Sequence, residues 1–253
     1  MSAPSHTPDT PTHADPAVLA TELLGELRAR ANPDNVAGMQ RFGISAEGTL
    51  GVSVPDVRAM AADAKRRLGR DKPARHDLAL RLWDSGVHEA RLMATVVDVP
   101  ELVTEEQAES WASQIDSWDI CDQLCNNLLR STSLAWTKAY EWPGREPEFV
   151  KRAGFVLGAT LAVHDRRAGN GEFMPLLTLC ERESTDGRNV VKKALNWSIR
   201  QIGKRSSILN AEAISACERI LAEHPDSTAA RWVARDALRE LRSDAIRARL
   251  GIA

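Results

Sequence analysis

Helical periodicity is the feature that most constrains the fold of this chain. From residue 16 onward, almost every segment repeats its apolar residues at spacings of three and four, which is typical of amphipathic helices. No segment shows the sustained apolar and polar alternation of a half-buried strand. The sequence therefore predicts an all-α protein. The predicted helices span residues 16–30, 34–41, 54–69, 72–84, 87–98, 104–115, 118–130, 132–141, 147–163, 171–183, 187–203, 207–223, 226–241 and 243–250.

Short breaks separate these helices, and most of them contain a proline or glycine that starts or stops a helix. The one long loop is predicted at FGISAEGTLGVSVP, residues 42–55. Fourteen helices joined by short turns, many recurring in pairs, favour an α-solenoid of degenerate HEAT-like repeats. A compact helical bundle is the alternative. Solenoids curve, and their concave face commonly binds an extended partner.

Composition sets limits on domain organisation and location. The 253 residues suffice for one large domain or two small ones. We expect a disordered Pro/Thr-rich tail over residues 1–15 and a single domain over residues 16–253. The tail has neither the basic nor the apolar region of a signal peptide, and no run of eighteen apolar residues predicts a membrane span. We therefore expect a cytoplasmic protein, nucleoid-associated if it is bacterial.

The cysteines predict buried thiols and not a metal centre. None of them forms a CxxC pair, and each lies in a segment with apolar periodicity, as expected for small buried side chains in a reducing cytoplasm. A metal site at Cys121 and Cys125 is the alternative, but no histidine lies near enough in sequence to complete it. The chain also lacks a P-loop and a dinucleotide fingerprint, so we expect no cofactor and no metal. The four cysteines are Cys121, Cys125, Cys180 and Cys217.

The stretch DSWDICDQLCNN, residues 116–127, places an aromatic beside a carboxylate. Trp118 and Asp122 are four residues apart and therefore adjacent on one face of a helix. The apolar stripe of that helix lies on the other side. A solvated carboxylate and a tryptophan packed over the helix start are the structural alternatives. Together, these alternatives leave an exposed aromatic next to a carboxylate without an explanation.

A basic stripe surrounds a second tryptophan in the segment 188–205. This segment has six Lys or Arg residues and no Asp or Glu, in a chain of net charge −2. Helical projection puts Trp197 between Lys193 and Arg200, opposite the apolar stripe. Cations interleaved with an aromatic are typical of nucleic-acid binding, because the cations meet phosphates and the ring offers a packing surface. A solvated basic face with the indole under lysine stems is the alternative. The six cations are Arg188, Lys192, Lys193, Arg200, Lys204 and Arg205.

Two further cations, Lys151 and Arg152, lie near the start of the otherwise apolar segment 147–163. Cations in the first turn oppose the helix dipole, at a cost of a few tenths of a kcal/mol. An external anion such as a phosphate would remove this cost. A salt bridge to Glu148 or to another carboxylate would do the same, and the sequence leaves both explanations open.

These motifs resemble the DNA alkylation-repair glycosylases built from HEAT-like helical repeats. The resemblance covers about residues 36–242, and its order and spacing are more specific than any single motif. The catalytic cleft of that family is characterised by two tryptophans, an aspartate and an arginine. These match Trp118, Trp197, Asp122 and Arg152. The long N-terminal tail is the main departure. The motifs are LGVSVPDVRAMA (50–61), LWDSGVHEARLMA (82–94), SWDICD (117–122), FVKRAGFV (149–156), VKKALNWSIRQIGK (191–204) and ARDALREL (234–241).

The resemblance implies an enzyme that hydrolyses the N-glycosidic bond of cationic N3- or N7-alkylated purines in duplex DNA, without turning the base into a pocket. It implies a concave DNA-binding groove and a monomer that needs no protein partner. Asp122 would stabilise the developing sugar cation, and the tryptophans would attract the charged nucleotide. The expected phosphate-binding residues are Lys151, Arg188, Lys193, Arg200, Lys204 and Arg205.

Two other functions are compatible with the same sequence. The first is a catalytically inactive HEAT-repeat protein that binds DNA or detects its structure. The second is a scaffold that binds another protein along its concave face. The presence of Asp122 favours the enzyme over the first. The basic stripe disfavours the second, because a protein-binding groove need not be cationic.

Overall fold

A computed structural model describes residues 14–252, and all regular structure in that range is helical. This confirms the all-α prediction for the described residues; residues 1–13 of the predicted tail lie outside them. None of the described helices is long and apolar enough to cross a bilayer. The helices are α1 (Pro16–Ala29), α2 (Pro33–Gln40), α3 (Val54–Leu68), α4 (Lys72–Asp84), α5 (His88–Val97), α6 (Glu105–Ser113), α7 (Trp118–Gln123), α8 (Ala135–Glu141), α9 (Glu148–His164), α10 (Asn170–Arg182), α11 (Asn189–Gly203), α12 (Ser207–Glu223), α13 (Thr228–Leu241) and α14 (Asp244–Leu250).

The main local difference from the predicted helices follows Trp118. The sequence predicts one α-helix over residues 118–130, and this is wrong. The α-helix α7 ends at Gln123, a π-helical segment covers Leu124–Leu128, and a 3₁₀ turn covers Leu129–Ser131. A π segment contains a wider turn than an α-helix and is often found beside functional side chains. Here it begins two residues after Asp122.

The described residues form two compact units. The first contains residues 14–39 and 46–102, and the second contains residues 40–45 and 103–252. Each unit is described separately below, and the single domain expected over residues 16–253 stays a prediction.

In the first unit, a buried carboxylate holds the long loop. Glu89 lies in the first turn of α5 and is fully buried. It accepts hydrogen bonds from the backbone N–H groups of Leu50, Gly51 and Val52 at 2.7–3.2 Å. Because a buried charge must be compensated by donors, these bonds fix the end of the loop before α3. The helices α3 and α4 both pack on α5 beneath it.

The second unit is built around α9. This helix packs against α7, α8 and α11, and every residue from Val150 to Ala162 is buried. A helix that is buried on all sides belongs to the interior of a protein. The two cations near its N-terminus, Lys151 and Arg152, are therefore buried charges and require partners within the fold.

Cysteine thiols connect α7 to α9 in this interior. The four cysteines are free and buried, as predicted. The thiol of Cys121 donates to the carbonyl of Phe149, and the thiol of Cys125 donates to the carbonyl of Ala153. Burial raises the pKa of Cys125 well above its ordinary value. The Cys125 thiol therefore stays protonated, and both thiols act as small packing groups.

A glycine of α9 allows a close approach by the turn Trp142–Gly144. A Cβ atom on Gly154 would lie 2.3 Å from Cδ and 2.7 Å from the backbone nitrogen of Pro143. No larger residue fits at this position unless α9 and the turn move apart. By contrast, a Cβ atom on Gly171 of α10 would meet no atom within 4 Å.

We predict that Gly154→Ala lowers the free energy of unfolding by about 1–3 kcal/mol, because overpacking forces the helix and the turn apart. Gly171→Ala is the matched control, and its stability should equal or slightly exceed that of the wild type. Urea denaturation of the three proteins measures the difference. Equal stability of the two variants would show that this contact does not limit the packing of α9.

Candidate active site

An ion pair between Arg152 of α9 and Asp122 of α7 forms the centre of the candidate site. Arg152 Nη2 donates to Oδ1 at 2.8 Å and to Oδ2 at 2.9 Å, and Nε donates to Oδ1 at 3.1 Å. A two-pronged contact between a guanidinium and a carboxylate is stronger and more specific in geometry than a single hydrogen bond. The Arg152 side chain is only 7% exposed, whereas the Asp122 side chain is 19% exposed. The carboxylate is thus the member of the pair that a ligand can reach.

Arg152 has a second role as a structural link. Its Nη1 atom donates to the backbone carbonyl of Val190, in the first turn of α11, at 2.5 Å. One side chain therefore contacts α7 and α11 from its position on α9. The sequence suggested a carboxylate partner for this cation as one alternative. The partner is Asp122, thirty residues away, and not the neighbouring Glu148.

Opposing effects determine the ionisation of Asp122. Burial is the larger effect and raises the pKa of Asp122 to about 6, although the charge and hydrogen bonds of Arg152 favour the ionised form. The nearby carboxylate of Asp119 adds a small further rise. With a pKa of about 6, most Asp122 side chains are ionised at neutral pH. Such a displaced pKa in a partly open position is common at functional sites.

Trp118 lies one turn before Asp122 on α7 and is half-buried. Its indole N–H donates to the carbonyl of Phe42 at 2.9 Å, and the preceding Ser117 accepts from the backbone N–H of Ser45 at 3.0 Å. The segment 40–45 is thereby fastened to the start of α7, which fixes the orientation of the indole. The sequence gave no signal for this contact, because its partners are more than seventy residues apart.

Trp197 is half-buried on α11. It lies seven residues after Val190, so the two side chains project from the same side of the helix, about 10 Å apart along its axis. No hydrogen bond between residues of the described range joins Trp197 to the other three residues of the predicted cleft. Arg152 and Asp122 are in direct contact, and Trp118 lies one turn before Asp122 on the same helix. Trp197 lies on α11, and Arg152 contacts that helix through the carbonyl of Val190.

Much of the predicted basic stripe on α11 is paired with an acid from α13. Glu240 accepts from Arg200 Nη1 at 2.7 Å and from Lys204 Nζ at 2.6 Å. Burial alone would raise the pKa of Glu240, but the hydrogen bonds from Lys204 and Arg200 outweigh it and lower this pKa. Glu240 is therefore ionised and balances one of the two positive charges. The segment 188–205 contains no acid, so its own composition could not reveal this pairing.

Two other predicted phosphate ligands are held by a nearby acidic loop. Lys151 Nζ lies 2.8 Å from a carboxylate oxygen of Glu183 and 3.4 Å from one of Asp186. Arg188 also pairs with Asp186, at 2.6 Å, and donates to the carbonyl of Glu146. These contacts satisfy the buried ammonium of Lys151 without an external anion. The role of both cations in DNA binding stays a prediction.

The last two predicted phosphate ligands differ from each other. Arg205 donates to the carbonyls of Ala162 and Ala168 and lies over the ring of Phe173, 4.7 Å from its centroid. It therefore helps to hold neighbouring backbone segments together. Lys193 is exposed on α11 and needs no rearrangement of the protein to meet a phosphate. Their DNA-binding roles also stay predictions.

A cluster of carboxylates around Lys138 has the spacing of a metal site. The Nζ atom of Lys138 lies 2.6–2.9 Å from carboxylate oxygens of Glu105, Glu109 and Glu141. Burial would lower the pKa of Lys138, but the hydrogen bonds that its ammonium donates to the three glutamates outweigh burial and raise this pKa above its ordinary value. The ammonium thus supplies the charge that a cation would bring. Within residues 14–252 this is the one cluster with suitable spacing, and it serves as an internal ion-pair network.

Comparison with known proteins gives two findings. The family described as DNA alkylation repair enzyme matches residues 23–241, whereas no curated protein gives a match. One similar solved structure is described as a new family of proteins related to the HEAT-like repeat DNA glycosylases with affinity for branched DNA structures. It is 16% identical, with a TM-score of 0.66, over 78% of this chain and 81% of that chain. This likeness confirms the predicted HEAT-like repeat fold.

We predict that Arg152→Ala lowers the free energy of unfolding by about 3 kcal/mol at pH 7, because it leaves the mostly buried Asp122 carboxylate without its cation. Adding Asp122→Asn should recover part of this loss, since the amide carries no charge. Urea denaturation of the wild type, both single variants and the double variant gives the coupling energy, expected at about 1–3 kcal/mol.

The exposed pair between Arg242 and Glu218 provides the control for this cycle. Removing Arg242 should change stability by about 1 kcal/mol or less, because solvent screens exposed charges. Strictly additive losses for Arg152→Ala and Asp122→Asn would contradict a strong interaction between these side chains.

Proposed function

Because the chain belongs to the family of DNA alkylation repair enzymes, we propose that it is a DNA glycosylase. Its substrate is duplex DNA that carries cationic N3- or N7-alkylated purines, and the reaction is hydrolysis of the N-glycosidic bond. The observation that carries the proposal is the Asp122 carboxylate, which stays partly open to solvent while the buried guanidinium of Arg152 holds it in one orientation.

A fixed carboxylate suits this reaction. An alkylated purine already carries a positive charge and is a good leaving group, so breaking its bond to the sugar requires little acid catalysis. The bond cleavage builds oxocarbenium character on the deoxyribose. A carboxylate held beside the sugar stabilises this charge and can orient an attacking water. Asp122 performs both tasks in this proposal.

Arg152 serves as a positioning residue in the same reaction. Its two-pronged contact fixes the plane of the carboxylate, so the oxygens need little reorganisation when the sugar cation forms. Its positive charge also opposes the effect of burial on the pKa of Asp122. Without Arg152, a larger fraction of Asp122 would be protonated at neutral pH and unable to stabilise a cation.

The tryptophans supply the affinity for a charged nucleotide. The indole N–H of Trp118 already has the carbonyl of Phe42 as its acceptor, so the ring contributes its aromatic face and not a hydrogen bond. Trp197 offers a second half-buried ring on α11. Indole faces attract cations by about 0.5–2 kcal/mol. This attraction favours an alkylated purine over a neutral base without requiring that the base be turned out of the duplex.

Some of the cations proposed to bind phosphates near this site already form ion pairs within the protein. Lys193 is exposed, whereas Arg200 and Lys204 share Glu240. An ammonium has three donors and a guanidinium has five, so both side chains keep donors for a phosphate while bound to Glu240. We propose that these three residues contact the DNA backbone. The concave groove expected from the sequence stays a prediction.

A second candidate function is DNA binding without catalysis. It is favoured by the description of the similar solved structure, which assigns that protein affinity for branched DNA structures. The two functions predict different outcomes for one pair of assays. A glycosylase releases free 7-methylguanine from an alkylated duplex, whereas a binding protein retains a four-way junction more tightly than a linear duplex and releases no base.

We predict that Asp122→Asn reduces the single-turnover rate of 7-methylguanine release by about a hundredfold or more, because the amide cannot stabilise the sugar cation. Asp116→Asn is the matched control, since Asp116 is exposed just before α7, and it should keep the wild-type rate. Release is measured at saturating enzyme, with circular dichroism to verify the fold. An unchanged rate in the Asp122 variant would remove this carboxylate from the mechanism.

We also predict a pH dependence that Asp122→Asn abolishes. The active form is the carboxylate, and the pKa of Asp122 is raised to about 6, so activity is lost as the pH falls through this value. The single-turnover rate should fall about tenfold per pH unit well below pH 6 and reach a plateau above pH 7. Spontaneous depurination, measured without enzyme at each pH, is subtracted. A flat wild-type profile between pH 5 and 7 would contradict this role.

A further inference from the structure

The outer face of α13 combines an exposed tryptophan with three arginines. The opposite face of this helix is buried in the second unit, while Trp232 is 39% exposed. Arg231, Arg235 and Arg239 follow one another at intervals of four residues. This spacing places them on one side of the helix, with successive positions about 6 Å apart along the axis.

These side chains border a surface groove of about 370 Å³. All the residues that line it belong to α13, so the groove runs along the helix and is not a closed cavity. Trp232 forms its apolar part, and the arginines form the charged part. The lining residues are Thr228, Arg231, Trp232, Arg235, Asp236 and Arg239.

The groove carries more positive charge than its own acid can balance. Arg239 pairs with Asp236, but Arg235 is exposed and has no ion-pair partner within residues 14–252. Arg231 donates to the carbonyl of Pro225, a contact that leaves its charge uncompensated. Among the residues that line the groove, three arginines and one aspartate leave two positive charges in excess.

A lysine from α11 adds to this charge. The ammonium of Lys192 lies 5.4 Å from the centroid of the Trp232 ring, within the range of a cation–π interaction. The other side of α13 differs, because Glu240 holds Arg200 and Lys204 there. Uncompensated positive charge is therefore concentrated around Trp232.

We propose that this face of α13 binds the sugar–phosphate backbone of DNA, with Arg231 and Arg235 on phosphates and Trp232 packed against a deoxyribose. The proposal rests on the DNA binding included in the proposed function and adds a surface outside the Asp122 site. From Arg231 to Arg239 the helix rises about 12 Å, along which one strand of B-DNA presents three or four phosphates. The contacts are to the backbone, so they position the duplex without reading its sequence.

The test compares two double variants that lose the same charge. Arg231→Gln with Arg235→Gln removes both proposed phosphate contacts. Arg219→Gln with Arg242→Gln removes two exposed arginines that pair with Glu181 and Glu218 and do not line the groove. The affinity for an undamaged duplex of about 20 base pairs is measured by fluorescence anisotropy over a series of salt concentrations, on full-length proteins with unchanged thermal unfolding.

The slope of log affinity against log salt should become less steep by about 1.8 in the first variant, since each lost phosphate contact removes about 0.9. The control variant should keep the wild-type slope. Trp232→Ala should weaken binding about fivefold or more with an unchanged slope, because it removes packing and no charge. An unchanged slope in the first variant, an equal change in both double variants, or a wild type without affinity for DNA would overturn the proposal.

Excision assays separate this proposal from the proposed glycosylase activity. The groove variants should need a higher enzyme concentration to reach half of the maximal single-turnover rate of 7-methylguanine release, because they bind the DNA more weakly, whereas Asp122→Asn should lower the maximal rate itself. If the wild type releases 7-methylguanine but its DNA binding does not depend on Arg231 and Arg235, the proposed role of the groove is wrong and the glycosylase activity stands. Groove-dependent binding without release would overturn the glycosylase activity and leave the groove intact.

Discussion

The burial of Arg152 is the constraint on which the site of this protein depends. A guanidinium cannot lose its proton in a protein interior, so its charge must be matched by acceptors where it lies. Asp122 and the carbonyl of Val190 provide these acceptors from two other helices. The requirement to satisfy one cation thus couples the positions of α7, α9 and α11. It also explains why an arginine can lie near the start of a helix that is otherwise part of the core.

The sequence predicts the helices well because their signals are local. Apolar spacing identifies each helix, and residues such as Pro33 or Pro55 mark a start near the observed one. The π segment Leu124–Leu128 has no comparable signal. Its hydrogen bonds span five residues instead of four, but the apolar side chains over this short stretch fit an α-helical stripe equally well. Packing against α9 decides between the two, and that information lies outside the segment.

The site shows the same division between local and distant information. The four-residue spacing of Trp118 and Asp122 is visible in the sequence, and so is the run of cations after Arg188. The acids that balance those cations are distant in sequence, as Glu240 is from Arg200. A count of charges within one segment therefore overstates its free positive charge. The reverse holds on α13, where a count that includes Asp236 and Glu240 understates the positive charge of the arginine-rich face. Glu240 does not belong to that face, because it projects toward Arg200 of α11.

The π segment also affects how this site tolerates changes in chain length. A π turn accommodates one more residue than an α turn, so a relative that lacks one residue between Leu124 and Leu128 can continue as a regular α-helix. Residues on both sides would keep their directions, and Asp122 would still face Arg152. The same deletion within α9 would rotate every later side chain by about 100° and expose part of a helix that has no solvent face. An evolutionary gap at residues 124–128 is therefore compatible with an intact site, whereas a gap in α9 is not.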